Sequence, residues 1–304
     1  MVSKLSRLSL ASTLFAMLLA SSFSLSSVRA HTFSPNESAS FLSLVDQIKS
    51  ALLTIKDDAS SNITLANDQG QYARKLLTDN MTTELKERNQ RIGTELIRML
   101  DSLQNISPQN INTNLTNLSD LLAEAVTVRV EKDQLKNMTV QALAFAEDIN
   151  KILDEYTTAL KGDNVSSVMN MDMNNMNMNT NMDMNMSKNN MSSMNMEASD
   201  AKQEAIKNIG AYQRASALTE IATERFNTEL AGKSNVTSAM EQVLKGLDQL
   251  KMSIQNKESL LTVMGIVHGQ IQPNLQVAFD LKLAEATDNG GGNMSMSMSN
   301  MTYT

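Results

Sequence analysis

Apolar residues return every three or four positions along most of the chain between residues 38 and 286. Phe41, Val45, Ile48, Leu52, Ile55 and Ala59 form one such stripe. Ile92, Leu96, Met99, Leu103 and Ile106 form a second, and Ile111, Leu115, Leu118, Leu122 and Ala125 a third. Met138, Ala142, Phe145, Ile149, Ile152 and Tyr156 form a fourth. The most regular run is Val236, Met240, Val243, Leu247, Leu250 and Ile254, which Lys257 interrupts before Leu261 and Met264. This spacing predicts amphipathic helices that each bury one stripe against neighbours. Alternating β-branched residues are nearly absent. Val126–Val130 (VTVRV) is the one such run, and it lies between helical stretches.

Breakers divide the pattern. Asp68-Gln69-Gly70 reads as the end of the first helix, and Ser107-Pro108 as a cap with proline at the first helical position. Lys161-Gly162-Asp163 closes the long third region. Ser199 or Asp200 is placed to cap the next helix, and residues 232–235 separate it from the last long one. Gly265, Gly269 and Pro273 interrupt that last helix around His268. The fold class this predicts is all-α: an elongated antiparallel bundle of long helices. A first helical block covers residues 31–161 and a second covers 198–286. Two helices in the second cannot easily enclose a core alone, so it is expected to pack on the first. A homo-oligomeric coiled coil built on the 236–264 seam is the alternative.

Between the blocks, residues 162–197 break the pattern altogether. Val168–Met196 reads VMNMDMNNMNMNTNMDMNMSKNNMSSMNM, with no histidine, no cysteine and almost no aliphatic residue. Its thioethers are Met169, Met171, Met173, Met176, Met178, Met182, Met184, Met186, Met191, Met194 and Met196. They sit at Met-x-Met and Met-x-x-Met spacing with Asn, Asp172, Asp183 and Ser as spacers. Met294, Met296, Met298 and Met301 repeat the pattern in the Gly/Ser/Met tail, residues 287–304. Both segments lack the apolar content to form a core and are expected to be disordered. A thioether is a neutral, soft donor that prefers Cu(I) and Ag(I) to Zn(II) or Mg(II). A chain with one every second or third residue can gather three or four sulfurs on one soft ion. Against this stand compositional drift into an inert low-complexity linker and sacrificial oxidation of Met to its sulfoxide. Core packing fits poorly, because Asn and Asp alternate with the Met.

Residues 1–30 read as a secretory signal peptide. Lys4 and Arg7 precede an apolar stretch from Leu8 to about Phe23, and Val28-Arg29-Ala30 offers a cleavage site. An uncleaved N-terminal anchor is the alternative. No later stretch is apolar enough to span a bilayer, so the expectation is a secreted or cell-surface protein. The chain has no cysteine, so its stability rests on packing rather than on disulfides. Removing residues 1–30 takes away three basic residues and no acid, moving the net charge from −7 to −10. That balance argues against nucleic acid and anionic lipid as partners. Thirteen Asn-x-Ser/Thr sequons, at Asn36, Asn62, Asn80, Asn105, Asn114, Asn117, Asn137, Asn164, Asn185, Asn190, Asn235, Asn293 and Asn300, suit a glycosylated exported protein.

Signals for an enzyme are poor. Two histidines and no cysteine cripple most nucleophilic and zinc-hydrolase arrangements. Gly290–Gly292 lacks the strand and the Lys-Ser/Thr of a phosphate loop. Glu84, Glu87, Asp120, Glu124, Glu147, Asp148, Asp154 and Glu155 are expected on solvated helix faces, with Glu147 and Lys151 as an i,i+4 pair. Cleavage after Ala30 would free His31 as an N-terminal histidine able to chelate Cu(II) through its amine and Nδ1. His268 is the only second imidazole available to it. The bland reading is a chance terminus and a polar residue at a helical hinge.

The segments MNMDMNNMNMN, MDMNMSKNNMSSMNM and MSMSMSNM resemble the Met-rich motifs in extracellular tails of high-affinity copper importers and in periplasmic copper-resistance proteins. An N-terminal His31 resembles the copper histidine brace of other exported copper proteins. The resemblance covers about thirty residues, a short tail and one terminus, and the Met segments lack the histidines that many such proteins intersperse. It implies Cu(I) binding at 169–196, with copper ions and another exported copper protein as partners. The function expected is therefore binding or buffering of copper by an exported helical protein that is not an enzyme. A cell-surface structural or interaction protein with an inert linker is the alternative, and an extracellular ligand-sensing bundle a third reading.

Overall fold

Most of the helices begin where a short polar side chain caps an apolar stripe. The structure, a computed structural model, describes residues 34–106, 110–162, 203–233 and 237–281. Helix α1 (Pro35–Asp58) starts at a capping box. Ser34 accepts from the Glu37 amide, and Glu37 accepts from the Ser34 amide at 2.8 Å. Asn62 caps α2 (Ile63–Leu76), Thr78 caps α3 (Asp79–Arg88) and Asn89 caps α4 (Gln90–Ser102). Helices α5 (Ile111–Arg129) and α6 (Lys132–Lys136) follow, and then the long α7 (Met138–Lys161). Gly162 ends α7 at φ +78°, a conformation that glycine adopts without the clash of a Cβ.

The later helices are α8 (Ile209–Arg225), α9 (Ser238–Gln255), α10 (Leu260–Ile266) and α11 (Gln272–Phe279). Helix α8 runs on through a π-turn, Phe226–Leu230, and α10 joins α11 through another, Val267–Ile271. The described residues are all-α.

Helices α1, α7 and α8 pack against one another at the centre. Helix α8 is antiparallel to the other two. Its early residues Gln213 and Arg214 bond Asp58 and Glu155, late in α1 and α7, while Arg225 at its end bonds Asp46 and Gln141. One apolar cluster joins α1–α5 to the start of α7. A second joins α7 to α8–α11, around Phe145, Tyr156 and Phe226. Helix α7 therefore supplies a wall to both cores, and residues 203–281 close their core against it.

The four stripes of the first 160 residues are buried almost throughout. Three local readings are corrected. Gly70 does not end a helix but lies inside α2. A Cβ there would stand 1.9 Å from the Leu103 carbonyl oxygen, so the glycine serves a close approach of α2 to the end of α4. The VTVRV run is the end of α5. Its helical face continues the α5 stripe through Ala125 to Arg129, whose guanidinium lies 4.3 Å over the Phe41 ring. Tertiary packing outweighs β-propensity there. The 236–264 seam is not one helix. Lys257 takes φ +55°, Ser259 caps a new helix, and Leu261 beyond the break is 79% exposed. Ser107, Pro108, Ser199 and Asp200 lie outside the described residues.

Candidate functional site

Acidic and basic residues within the apolar stripes build the polar centre of the molecule. Asp148 stands between Phe145 and Ile152 on the buried face of α7, and Asp46 lies one residue after Val45 on α1. Arg225 ends α8 between Ala222 and Phe226 and reaches both. Its Nε donates to Asp46 Oδ2 at 2.8 Å, a second nitrogen bonds the same oxygen, and Nη1 donates to Gln141 Oε1 at 2.6 Å. Asp148 is 0% exposed. Arg225 Nε lies 3.4 Å from its Oδ2, an ion-pair distance without hydrogen-bond geometry; no donor meets either Asp148 oxygen in full hydrogen-bond geometry among the described residues, and the nearby Ser43 hydroxyl favours the ionised carboxylate.

Burial pushes the Asp148 carboxyl well above its ordinary value, the neighbouring Asp46 charge adds to this, and Arg225 opposes it. Burial disfavours the Arg225 charge, but Asp46 and Asp148 hold its pKa above the usual value. The physical picture is one guanidinium shared by two carboxyls, of which the more deeply buried one favours its proton.

A cavity of about 980 Å³ opens beside this centre, between α1, α5, the α6–α7 corner and the end of α8. Asp46, Gln141 and Arg225 contribute its polar end, and Leu42, Leu52, Leu115, Val126, Leu135 and Ile221 its apolar walls. Lys49, Lys56, Lys136 and Lys233 join Arg225 in the lining, against Asp46, Glu224 and Glu229. Lys49 lies 3.5 Å from Asp46, and Lys233 pairs with Glu229. Lys56 and Lys136 have no ion pair among the described residues.

A second polar cluster fixes the α7–α8 hairpin. Glu155 accepts from Tyr72 Oη at 2.7 Å and from Arg214 Nη2 at 2.7 Å. The Arg214 guanidinium stacks 3.8 Å over the Tyr72 ring and donates to Gln69 at 2.8 Å. Burial pushes the Glu155 carboxyl up, but the Arg214 and Lys151 charges, with hydrogen bonds from Tyr72 and Arg214, outweigh it and hold the pKa below the ordinary value. Where the chain returns from residues 163–202, the Lys207 and Asn208 amides both donate to the Ala159 carbonyl, at 2.8 and 3.1 Å. A Cβ on Gly162 would lie 3.8 Å from that of Lys207. The two flanks of the Met-rich segment thus meet at one point, the end of α7.

The structure places few of the sequence-derived ligands. Met169, Met171, Met173, Met176, Met178, Met182, Met184, Met186, Met191, Met194 and Met196 lie outside the described residues. So do Met294, Met296, Met298, Met301 and His31. His268 is described: it is exposed on the second π-turn, with Nδ1 2.7 Å from Gln272 Oε1, while Gln272 donates to Asn150. The described residues contain no group of three or more His, Cys, Asp or Glu side chains arranged for a metal ion.

Two expectations for the acids are corrected. Asp148 and Glu155 are buried rather than solvated, and Lys151 pairs with Glu155 at 3.1 Å, while Glu147 accepts from Ser40. The signal was present in the spacing. Asp148 and Glu155 fall at the same three- and four-residue steps as Phe145, Ile149, Ile152 and Tyr156, and Arg225 does so among Leu218, Ala222 and Phe226. Among the described residues no helix is long and apolar enough to cross a membrane. Comparisons with protein-family models, curated proteins and solved structures find no match to this chain.

Proposed function

We propose that this is an exported copper-binding protein that holds or buffers Cu(I) on its Met-rich motifs, with the helical body as their scaffold. The observation that carries the reading is the repeated Met-x-Met and Met-x-x-Met spacing of Val168–Met196, echoed at Met294–Met301. Its donor chemistry suits a soft monovalent ion, which three or four thioethers per site would hold without needing a charged ligand. One described feature supports it. The returning chain bonds the Ala159 carbonyl through the Lys207 and Asn208 amides, three residues before Gly162 ends α7, so the described ends on either side of residues 163–202 lie together. A spacer that separates two bodies has no need of this arrangement.

Export and glycosylation belong to the same proposal. The seven sequon asparagines among the described residues, from Asn36 to Asn137, are all exposed. Asn62 and Asn137 also cap helices through the side-chain oxygen. A Cu(II) site at a freed His31 is a separable part of the reading. The exposed ring of His268 would need its tautomer set by Gln272 to serve as a second ligand. Metal analysis of the secreted protein after growth with copper tests the proposal. Copper retained at more than one equivalent per chain is expected, and a metal-free protein under those conditions argues against it.

A further inference from the structure

The cavity beside Arg225 is about 980 Å³, at the upper end of the range typical of small-molecule sites. Its construction is that of a ligand site: apolar walls with a small number of converging polar groups. The walls come from helices of both cores, with Leu52 on α1, Leu115 and Val126 on α5, and Ile221 on α8. The polar end is held rigid, because Arg225 is committed to Asp46 and Gln141. Its side chain is 10% exposed, so its geometry does not depend on solvent.

The charge of the lining selects the ligand. The chain as a whole carries −7, yet five basic side chains line this cavity against three acidic ones. Lys56 and Lys136 face no carboxylate partner among the described residues, and Lys49 has only a 3.5 Å contact with an Asp46 that Arg225 already occupies. An apolar ligand would leave these ammonium groups unused. A cation would be repelled. A small hydrophilic anion would leave the leucine walls wet.

We infer that the cavity binds an anionic amphiphile: a single apolar chain lying along α1 and α5, with a carboxylate or similar head neutralised by the lining lysines. This site is independent of the Met-rich motifs, and metal binding plays no part in it.

Calorimetric titration of the full secreted chain with dodecanoate, below the concentration at which it forms micelles, tests the inference. Saturable binding at one equivalent is expected. Ala123 lies exposed on the cavity wall, so Ala123→Trp fills the mouth without altering a core position. It should weaken dodecanoate at least about tenfold, a loss of about 1.4 kcal/mol. The double variant Lys56→Gln/Lys136→Gln should weaken dodecanoate about fivefold or more while leaving dodecanol binding unchanged. Dodecyltrimethylammonium should bind the parent more weakly than dodecanoate does. Unchanged circular dichroism and melting temperature show that each variant is folded. Three results would each overturn the inference: no saturable uptake of dodecanoate, uptake that Ala123→Trp leaves intact, or equal affinity for the cationic amphiphile.

Discussion

At Asp148 a carboxyl is held where water cannot reach it, beside an arginine already engaged by Asp46. Its pKa is raised from an ordinary value of 3.8, so the folded state holds the proton more tightly than the unfolded chain does. The stability this contributes is complete below 3.8 and is lost as pH rises through the folded-state value. Asp148→Asn cannot titrate. Its stability relative to the parent should therefore rise with pH above 3.8, by up to about 1.4 kcal/mol per pH unit inside the window, and then level off. Urea unfolding across pH checks this, and a pH-independent difference would contradict it. Glu155 has the opposite sign. Its pKa is lowered from 4.5, so its stabilisation is present above that value and fades as pH falls through the folded-state value. Glu155→Gln leaves Arg214 without its charge partner and should cost about 3 kcal/mol at neutral pH. The cost should shrink in acid.

At the scale of elements, most of the helical stripes were legible because a 3.6-residue period is a direct image of a buried face. What was not legible depends on contacts between distant segments. Gly70 reads as a breaker in isolation, and only the Leu103 carbonyl pressed against it explains it as a packing residue inside α2. Gly70→Ala should therefore destabilise by about 3 kcal/mol or more, through overpacking against backbone. Gly265 in α10 meets nothing within 4 Å of a built Cβ. Gly265→Ala should stabilise by about 0.5–1 kcal/mol, the helix propensity difference alone. Chemical denaturation separates the two cases, and equal effects would refute the assignment. The polar centre is hard to read for a different reason. Asp148, Glu155 and Arg225 occupy stripe positions, where charge by itself signals exposure. An acid at a stripe step is a signal for a buried ion pair, but its partner lies on another helix and leaves no trace in local spacing.

At the scale of the whole molecule, the described ends on either side of residues 163–202 meet at Ala159, and the described residues build two cores that share α7. Replacing it with a short Gly/Ser loop should preserve the helical fold. Loop-closure entropy alone changes stability by about 1 kcal/mol, in the stabilising direction. A loss of cooperative unfolding in the shortened chain would show that the segment is part of the core. The candidate copper ligands were legible as a composition and a spacing. The cavity was not, because its lining comes from α1, α5, α6, α7 and α8 together.

The central claim is that the Met-rich segment takes up a soft metal through sulfur. Its most direct test is Ag(I) uptake by the protein and by a variant with the eleven methionines of 169–196 replaced by Leu, which keeps apolar character and approximate volume but removes the donor. Thioethers do not titrate in the physiological range, unlike imidazole ligands. The parent should hold about three Ag(I) in this segment at both neutral and mildly acidic pH. The Leu variant should lose them at both. Equal uptake by the two proteins would contradict the account.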